Sequence, residues 1–141
     1  METVERIFDR LPLEAVRIRT EVFIDEQGFK EEFDDIDNIA LHTVLYHDDI
    51  PIAVSRIYYD EERKSYIIGR IAVIKSFRGQ GIGRIIMENA ERTVRNKKGT
   101  RLSLHAQERA SEFYRKQGYS ETGEKDYDEY CPHVWMTKEL D

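Results

Sequence analysis

The sequence has little of what would cross-link, stiffen or anchor a chain. A single cysteine, Cys131, excludes an internal disulfide, which suits a reducing compartment. Three widely spaced prolines leave no proline-rich linker at which to divide the chain. No apolar run approaches the roughly 20 residues that a membrane-spanning helix needs. The N-terminal METVERIFDRLPLE is broken by charge too often for a signal sequence. These absences predict a cytoplasmic protein with no membrane partner. Bases are the minority charge: 22 against 28 acids gives a net charge of -6, which argues against nucleic acid as a partner. The four histidines and the lone cysteine lack the paired spacing of metal ligands, so no metal is expected.

What is present suffices for a packed core. The 141 residues, 40% hydrophobic and 11% aromatic, fit a single domain over 1–141. Val4–Phe8 reads as a short strand. Leu11, Ala15, Ile18 and Val22 then follow at helical spacing around Pro12, and the helix fades near Gly28. Residues 30–38 read as an acidic loop with a turn of helix. Residues 40–46 and 52–59 read as strands around a turn at Asp48-Asp49-Ile50-Pro51, with a third strand at 65–74. Ile82, Ile85, Ile86, Ala90 and Val94 mark an amphipathic helix that ends before Gly99. A strand at 101–105, a helix at 108–117 capped by Gly118, and strands at 119–128 and 133–137 complete the chain. This order predicts an α/β (α+β) protein with helices packed on a mixed sheet.

Charge is unevenly spread. Nine bases and two acids lie between Arg70 and Arg101, while the rest of the chain carries twice as many acids as bases. Such an island fits either a local anionic ligand or a solvated basic helix. Within it, Arg78-Gly79-Gln80-Gly81-Ile82-Gly83-Arg84 joins the strand that carries Ile71-Ala72-Val73 to the amphipathic helix. Glycines let backbone approach a ligand, and a helix start offers N–H groups without internal partners. Those donors, the helix dipole and the two arginines suit phosphate oxygens. The loop lacks the Gly-Lys-Ser/Thr of a Walker A motif, and its G-x-G-x-G spacing differs from the dinucleotide fingerprint G-x-G-x-x-G.

The spacing Arg-x-x-Gly-x-Gly resembles the pyrophosphate loop of the GNAT superfamily of N-acetyltransferases. Downstream, Gln107-Glu108-Arg109-Ala110-Ser111-Glu112-Phe113-Tyr114, closed by Gly118-Tyr119, is similar to that superfamily's second signature, with Gln107 where many members have Asn. Arg19–Gly28, Phe33–Asp37, Ala40-Leu41-His42 and His133-Val134-Trp135-Met136 resemble its ElaA-like branch.

The resemblance implies a mixed, mostly antiparallel sheet of about six or seven strands flanked by helices. It also implies acetyl-CoA as cosubstrate. Arg78, Gly79, Gln80, Gly81, Ile82, Gly83 and Arg84 would hold the pyrophosphate, and Gln107 is a further candidate contact. Ile71, Ala72 and Val73 would meet the pantetheine arm and the acetyl carbonyl through their backbone. Tyr114 would be the general acid for the departing thiolate. For the base, Glu26, His42, His133 and a water chain to a carboxylate remain open, while His47 and His105 carry no assignment. The expected acceptor is a primary amine of a small molecule or a protein, and the family suggests a homodimer paired through the C-terminal strands. A non-catalytic acyl-CoA-binding module is the alternative. Ten acids and one base lie between Glu21 and Asp49, which reads as a solvated loop or as part of a cleft for a cationic amine.

Overall fold

A computed structural model describes residues 1–141. The elements run β1 (Val4–Phe8), α1 (Leu13–Arg19), β2 (Leu41–His47), β3 (Ile50–Asp60), β4 (Ser65–Val73), α2 (Ile82–Asn96), β5 (Arg101–Gln107), α3 (Ser111–Lys116), β6 (Ser120–Asp128) and β7 (Cys131–Glu139). The seven strands form one sheet in the order β1-β2-β3-β4-β5-β7-β6. Pairing is antiparallel for β1–β2, β2–β3, β5–β7 and β6–β7, and parallel for β4–β5. No helix is long and apolar enough to cross a membrane.

The chain divides into two compact units, Met1–Tyr58 with Arg70–Glu88, and Tyr59–Gly69 with Asn89–Asp141. In the first unit, extended Pro12 starts α1 and its carbonyl accepts from the Ala15 and Val16 N–H groups at 3.0 and 3.2 Å. The helix continues into a π-helical turn, Thr20–Glu26, and stops at Gly28, whose φ of 78° is left-handed. Val44, Leu45, Ile52, Ala53 and Val54 supply fully buried side chains from β2 and β3. The hairpin between those strands is tighter than the sequence suggests. Asp48 and Asp49 alone make the turn, at φ 50° and 65°, and β3 already begins at Ile50. Pro51 sits opposite Tyr46 at a register shift, where a residue without an N–H is tolerated in a strand.

In the second unit, Leu102 and Leu104 of β5 and Val134 and Met136 of β7 bury one side of the strands. Tyr66 and Val94 close on Gly99, where an added Cβ would lie 2.5 Å from Val94 Cγ1 and 2.7 Å from the Tyr66 ring. Only glycine fits there. The helix expected over 108–117 is a single 3₁₀ turn, Glu108–Ala110, followed by α3. Gly118 ends it at φ 98°, with the Tyr119 N–H reaching back to the Tyr114 carbonyl at 3.1 Å. The opposite side of β5 and β7 is polar. Ser103 Oγ bonds Ser65 Oγ at 2.8 Å and Thr137 Oγ1 at 2.9 Å, and His105, Trp135 and His133 continue this face.

Candidate functional site

After Val73 the chain makes a 3₁₀ turn at Lys75–Phe77 and enters α2 at Ile82. Gly79 and Gly81 hold φ of 77° and 79°, and a Cβ on either would meet nothing within 4 Å. Left-handed backbone, not crowding, therefore requires glycine at both. Ile85 N–H donates to Gly81 O at 3.3 Å, so the N–H groups of Ile82, Gly83 and Arg84 precede the helical ladder and suit an anion. Arg78 folds back within the same unit: its Nε donates to Val73 O at 2.9 Å, and its Nη1 and Nη2 donate to Glu26 at 2.8 and 3.0 Å. Gln80 Nε2 caps Ser76 O at 3.3 Å, and Arg84 faces Glu88 one turn on. A surface depression beside the loop is lined by Glu21, Glu26, Ile74, Lys75 and Ser76.

Glu26, one of the candidate bases, is thus held by Arg78. That hydrogen bond lowers its pKa and makes the carboxylate a poorer proton acceptor.

Ile71, Ala72 and Val73 lie beyond the parallel ladder of β4 with β5, which pairs Tyr66 with Leu102 and Ile67 with Ser103. Just ahead of them Arg70 takes φ 51°, an unusual value for a non-glycine residue inside a strand. Its side chain is firmly held. Nε lies 2.9 Å from Glu32 Oε2 and donates to Glu32 O at 3.1 Å, and Nη2 reaches Asp34 Oδ2 at 3.3 Å.

These acids belong to the belt that the sequence offered as a solvated loop or a cleft lining. Three of them instead enter a buried ionic network. Arg19, 1% exposed, donates from Nε to Glu32 Oε2 at 3.0 Å and from Nη1 to Asp37 Oδ1 at 2.8 Å. Arg56 Nη1 bonds Asp34 at 2.6 Å and Asp37 at 2.9 Å. Three guanidinium groups therefore neutralise three carboxylates, which is what burial of charge demands. Burial by itself would raise the Asp37 pKa, but Arg19 and Arg56 outweigh it and bring the carboxyl to about 2. His42 lies against this network, its Nε2 2.9 Å from Asp37 O, and burial lowers its pKa.

In the second unit Tyr114 is buried on α3, with its ring edge-on to Phe113 at 5.0 Å, and burial raises its phenol to about 12. Gln107 Oε1 accepts from Arg109 Nε at 2.8 Å. His133 is buried, with Nδ1 3.0 Å from Cys131 O, and burial lowers its pKa. Its ring lies 4.4 Å from that of His105, which stacks on Trp135 at 4.9 Å. His105 Nε2 is 2.5 Å from Asp126 Oδ1. The sequence reading passed over this His–Asp pair. Its members sit 21 residues apart, and only the strand register brings them together.

The sheet, the glycine turn and the helix that follows it define an acyltransferase-type α/β fold. Residues 11–140 match the family model described as the acetyltransferase (GNAT) domain, and the chain belongs to that family. The match spans both compact units. The protein is similar to YyaT of Bacillus subtilis, 35% identical over 138 residues, 90% of this chain and 88% of YyaT. It is 26% identical to Escherichia coli ElaA over 132 residues, covering 89% of this chain and 85% of ElaA. The ElaA crystal structure superposes with a TM-score of 0.85 over 97% of this chain and 99% of ElaA, at 22% identity. A Lactobacillus plantarum crystal structure assigned as an N-acetyltransferase superposes at TM-score 0.86, 28% identical, over 98% of this chain and 99% of that one. The mixed, mostly antiparallel sheet, expected at about six or seven strands, has seven, and the ElaA-like resemblance holds as well.

Proposed function

We propose that the protein is an acetyl-CoA-dependent N-acetyltransferase that passes the acetyl group directly to a primary amine of a small molecule or a protein. The observation that carries this reading is the turn from β4 into α2. Two left-handed glycines there present backbone N–H groups at a helix start, with Arg78 and Arg84 beside them. The pyrophosphate of the cosubstrate takes those donors, and Gln107 adds a side-chain contact. The backbone of Ile71–Val73 holds the pantetheine arm, and one of its N–H groups faces the oxyanion that forms on the acetyl carbonyl.

In the reaction an unprotonated amine attacks the thioester carbon. The tetrahedral intermediate collapses with cleavage of the C–S bond, and the sulfur leaves as thiolate. Tyr114 is the proposed acid. With its phenol at about 12 it is neutral at physiological pH and available as a donor. So weak an acid favours hydrogen-bond donation to the developing thiolate over early, complete proton transfer. For the base, Glu26 would first have to leave Arg78, and His133 is buried with its pKa lowered.

Thiol release from acetyl-CoA, measured against a panel of primary amines, tests the reading. Amine-dependent release supports it. Tight CoA binding with no release from any amine would replace it with a non-catalytic acyl-CoA-binding module.

A further inference from the structure

Glu32, Asp34 and Asp37 are held by Arg19, Arg56 and Arg70 and are not free to receive an amine. A second set of charged and aromatic groups lies on the polar face of β5, β7 and β6 in the second unit. Arg63, in the turn between β3 and β4, lays its guanidinium carbon 3.4 Å from the centroid of the Trp135 ring. The same head group bonds both carboxylate oxygens of Glu124, at 3.3 and 2.6 Å, and lies 3.7 Å from Asp60. An aromatic face backed by carboxylates is the arrangement that binds alkylammonium and guanidinium ligands. This one is open to solvent at its rim, with the Arg63 side chain 30% and Glu124 53% exposed. On the Trp135 ring also rests His105, stacked at 4.9 Å and bonded through Nε2 to Asp126. The bond to Asp126 fixes the proton on Nε2 and leaves the Nδ1 lone pair as the basic position.

Position on the strands adds to this. The parallel ladder of β4 and β5 pairs Ile67 with Ser103, and His105 lies two residues further along β5. His105 pairs with Trp135 across β5 and β7, and Asp126 pairs with His133 across β6 and β7, so the dyad and the aromatic platform share one register.

We propose that this face is the acceptor site, that it selects amines carrying a second cationic group, and that Arg63 occupies the place of that second cation until the acceptor displaces it. The proposal rests on the acetyltransferase reading above. The distal ammonium lies over Trp135 and pairs with Glu124, while the reacting ammonium gives a proton to His105 Nδ1. The free amine forms the N–C bond, the C–S bond of the thioester breaks, and the sulfur ends as CoA thiol. The net reaction releases one proton, which leaves from His105 to solvent. Diamines, polyamines and lysine side chains beside another cation have this chemistry.

The test compares 1,4-diaminobutane with butylamine, which has the same chain and no second cation. For the wild-type protein the diamine is expected to show a KM about tenfold lower, with the KM for acetyl-CoA the same in both assays. Glu124→Gln should raise the diamine KM about fivefold, the most that an exposed pair supplies, and leave butylamine unchanged. Arg63→Gln should lower the diamine KM, because an internal competitor is gone. His105→Gln should cut kcat by about a hundredfold or more for both amines, with partial recovery on adding imidazole. Equal KM values for the two amines, or a Glu124→Gln effect on both alike, overturns the cation site. Full turnover in His105→Gln overturns the base. If neither amine is acetylated although acetyl-CoA binds, the transfer reading has failed separately. Calorimetric titration of the two amines into wild-type and Glu124→Gln protein then still decides whether the cation site exists.

Discussion

Glu26 clasps Arg78 through two hydrogen bonds, 2.8 and 3.0 Å long, and so occupies the guanidinium of the first arginine of the glycine turn. A pyrophosphate arriving at that turn would compete with the carboxylate for the same guanidinium. The pair is solvent-accessible on both sides, so its hold is weak enough to exchange.

Glu26→Gln should therefore tighten CoA binding by about twofold to fivefold at low ionic strength. Titration calorimetry checks this, and weaker binding would mean that Glu26 orients Arg78 for the ligand instead of competing for it.

The two left-handed glycines of the turn are separable from ordinary turn glycines by substitution. Gly81→Ala and Gly28→Ala meet the same strain, φ 79° and 78° with open space for the methyl, and each should lose about 1 kcal/mol of stability. Only Gly81→Ala should also weaken CoA, by about tenfold or more, because its backbone stands where the anion binds. Thermal unfolding and CoA titration of the two variants side by side make the comparison.

Local features were legible in the sequence, and long-range pairings were not. Pro12, Gly28, Gly118 and the spacing of Gly79 and Gly81 act on their immediate neighbours, so their turns and helix ends could be read directly. Asp37 shows the opposite case. As one of ten acids in a run it reads as solvated, yet Arg19 and Arg56 bury it from 18 and 19 residues away. His105 drew no assignment for the same reason, because its partners Asp126, Trp135 and His133 reach it only through the pairing of three strands. Ile50 and Pro51 read as turn residues in the sequence, and the register shift beside Tyr46 that admits the proline to β3 is invisible until the pairing is known.

Asp37 should make the fold acid-sensitive over a defined range. Its carboxyl drops from an ordinary 3.8 in the unfolded chain to about 2 in the folded one. The stabilisation it gives is complete above the unfolded value and is lost as pH falls through the folded one. Asp34, where Arg56 and Arg70 outweigh burial, moves in the same direction, whereas burial raises Glu32 and opposes them. Melting temperature should decline as pH drops from 3.8 toward 2. Asp37→Asn should flatten that decline and lower stability at neutral pH by about 3 kcal/mol, since Arg19 and Arg56 then lose a buried counterion.

Tyr114→Phe keeps the packing of a buried ring and removes only the hydroxyl. Turnover should fall steeply, by about a hundredfold, with CoA affinity unchanged. Wild-type turnover in this variant would remove the phenol from the reaction.

The buried arginine–carboxylate network has a consequence for how the protein responds to its medium. Arg19, Glu32, Asp37 and Arg56, each 5% exposed or less, close on one another out of reach of mobile ions, while Arg70 and Asp34 form the open rim of the network at 22% and 39%. The arginines of the glycine turn stand in the open, Arg78 at 41% and Arg84 at 66%. Counter-ions screen the second set within about 10 Å at 0.1 M and scarcely touch the first. Salt should thus act as a dial on cosubstrate capture alone: CoA affinity falls with rising ionic strength while the melting temperature stays nearly level.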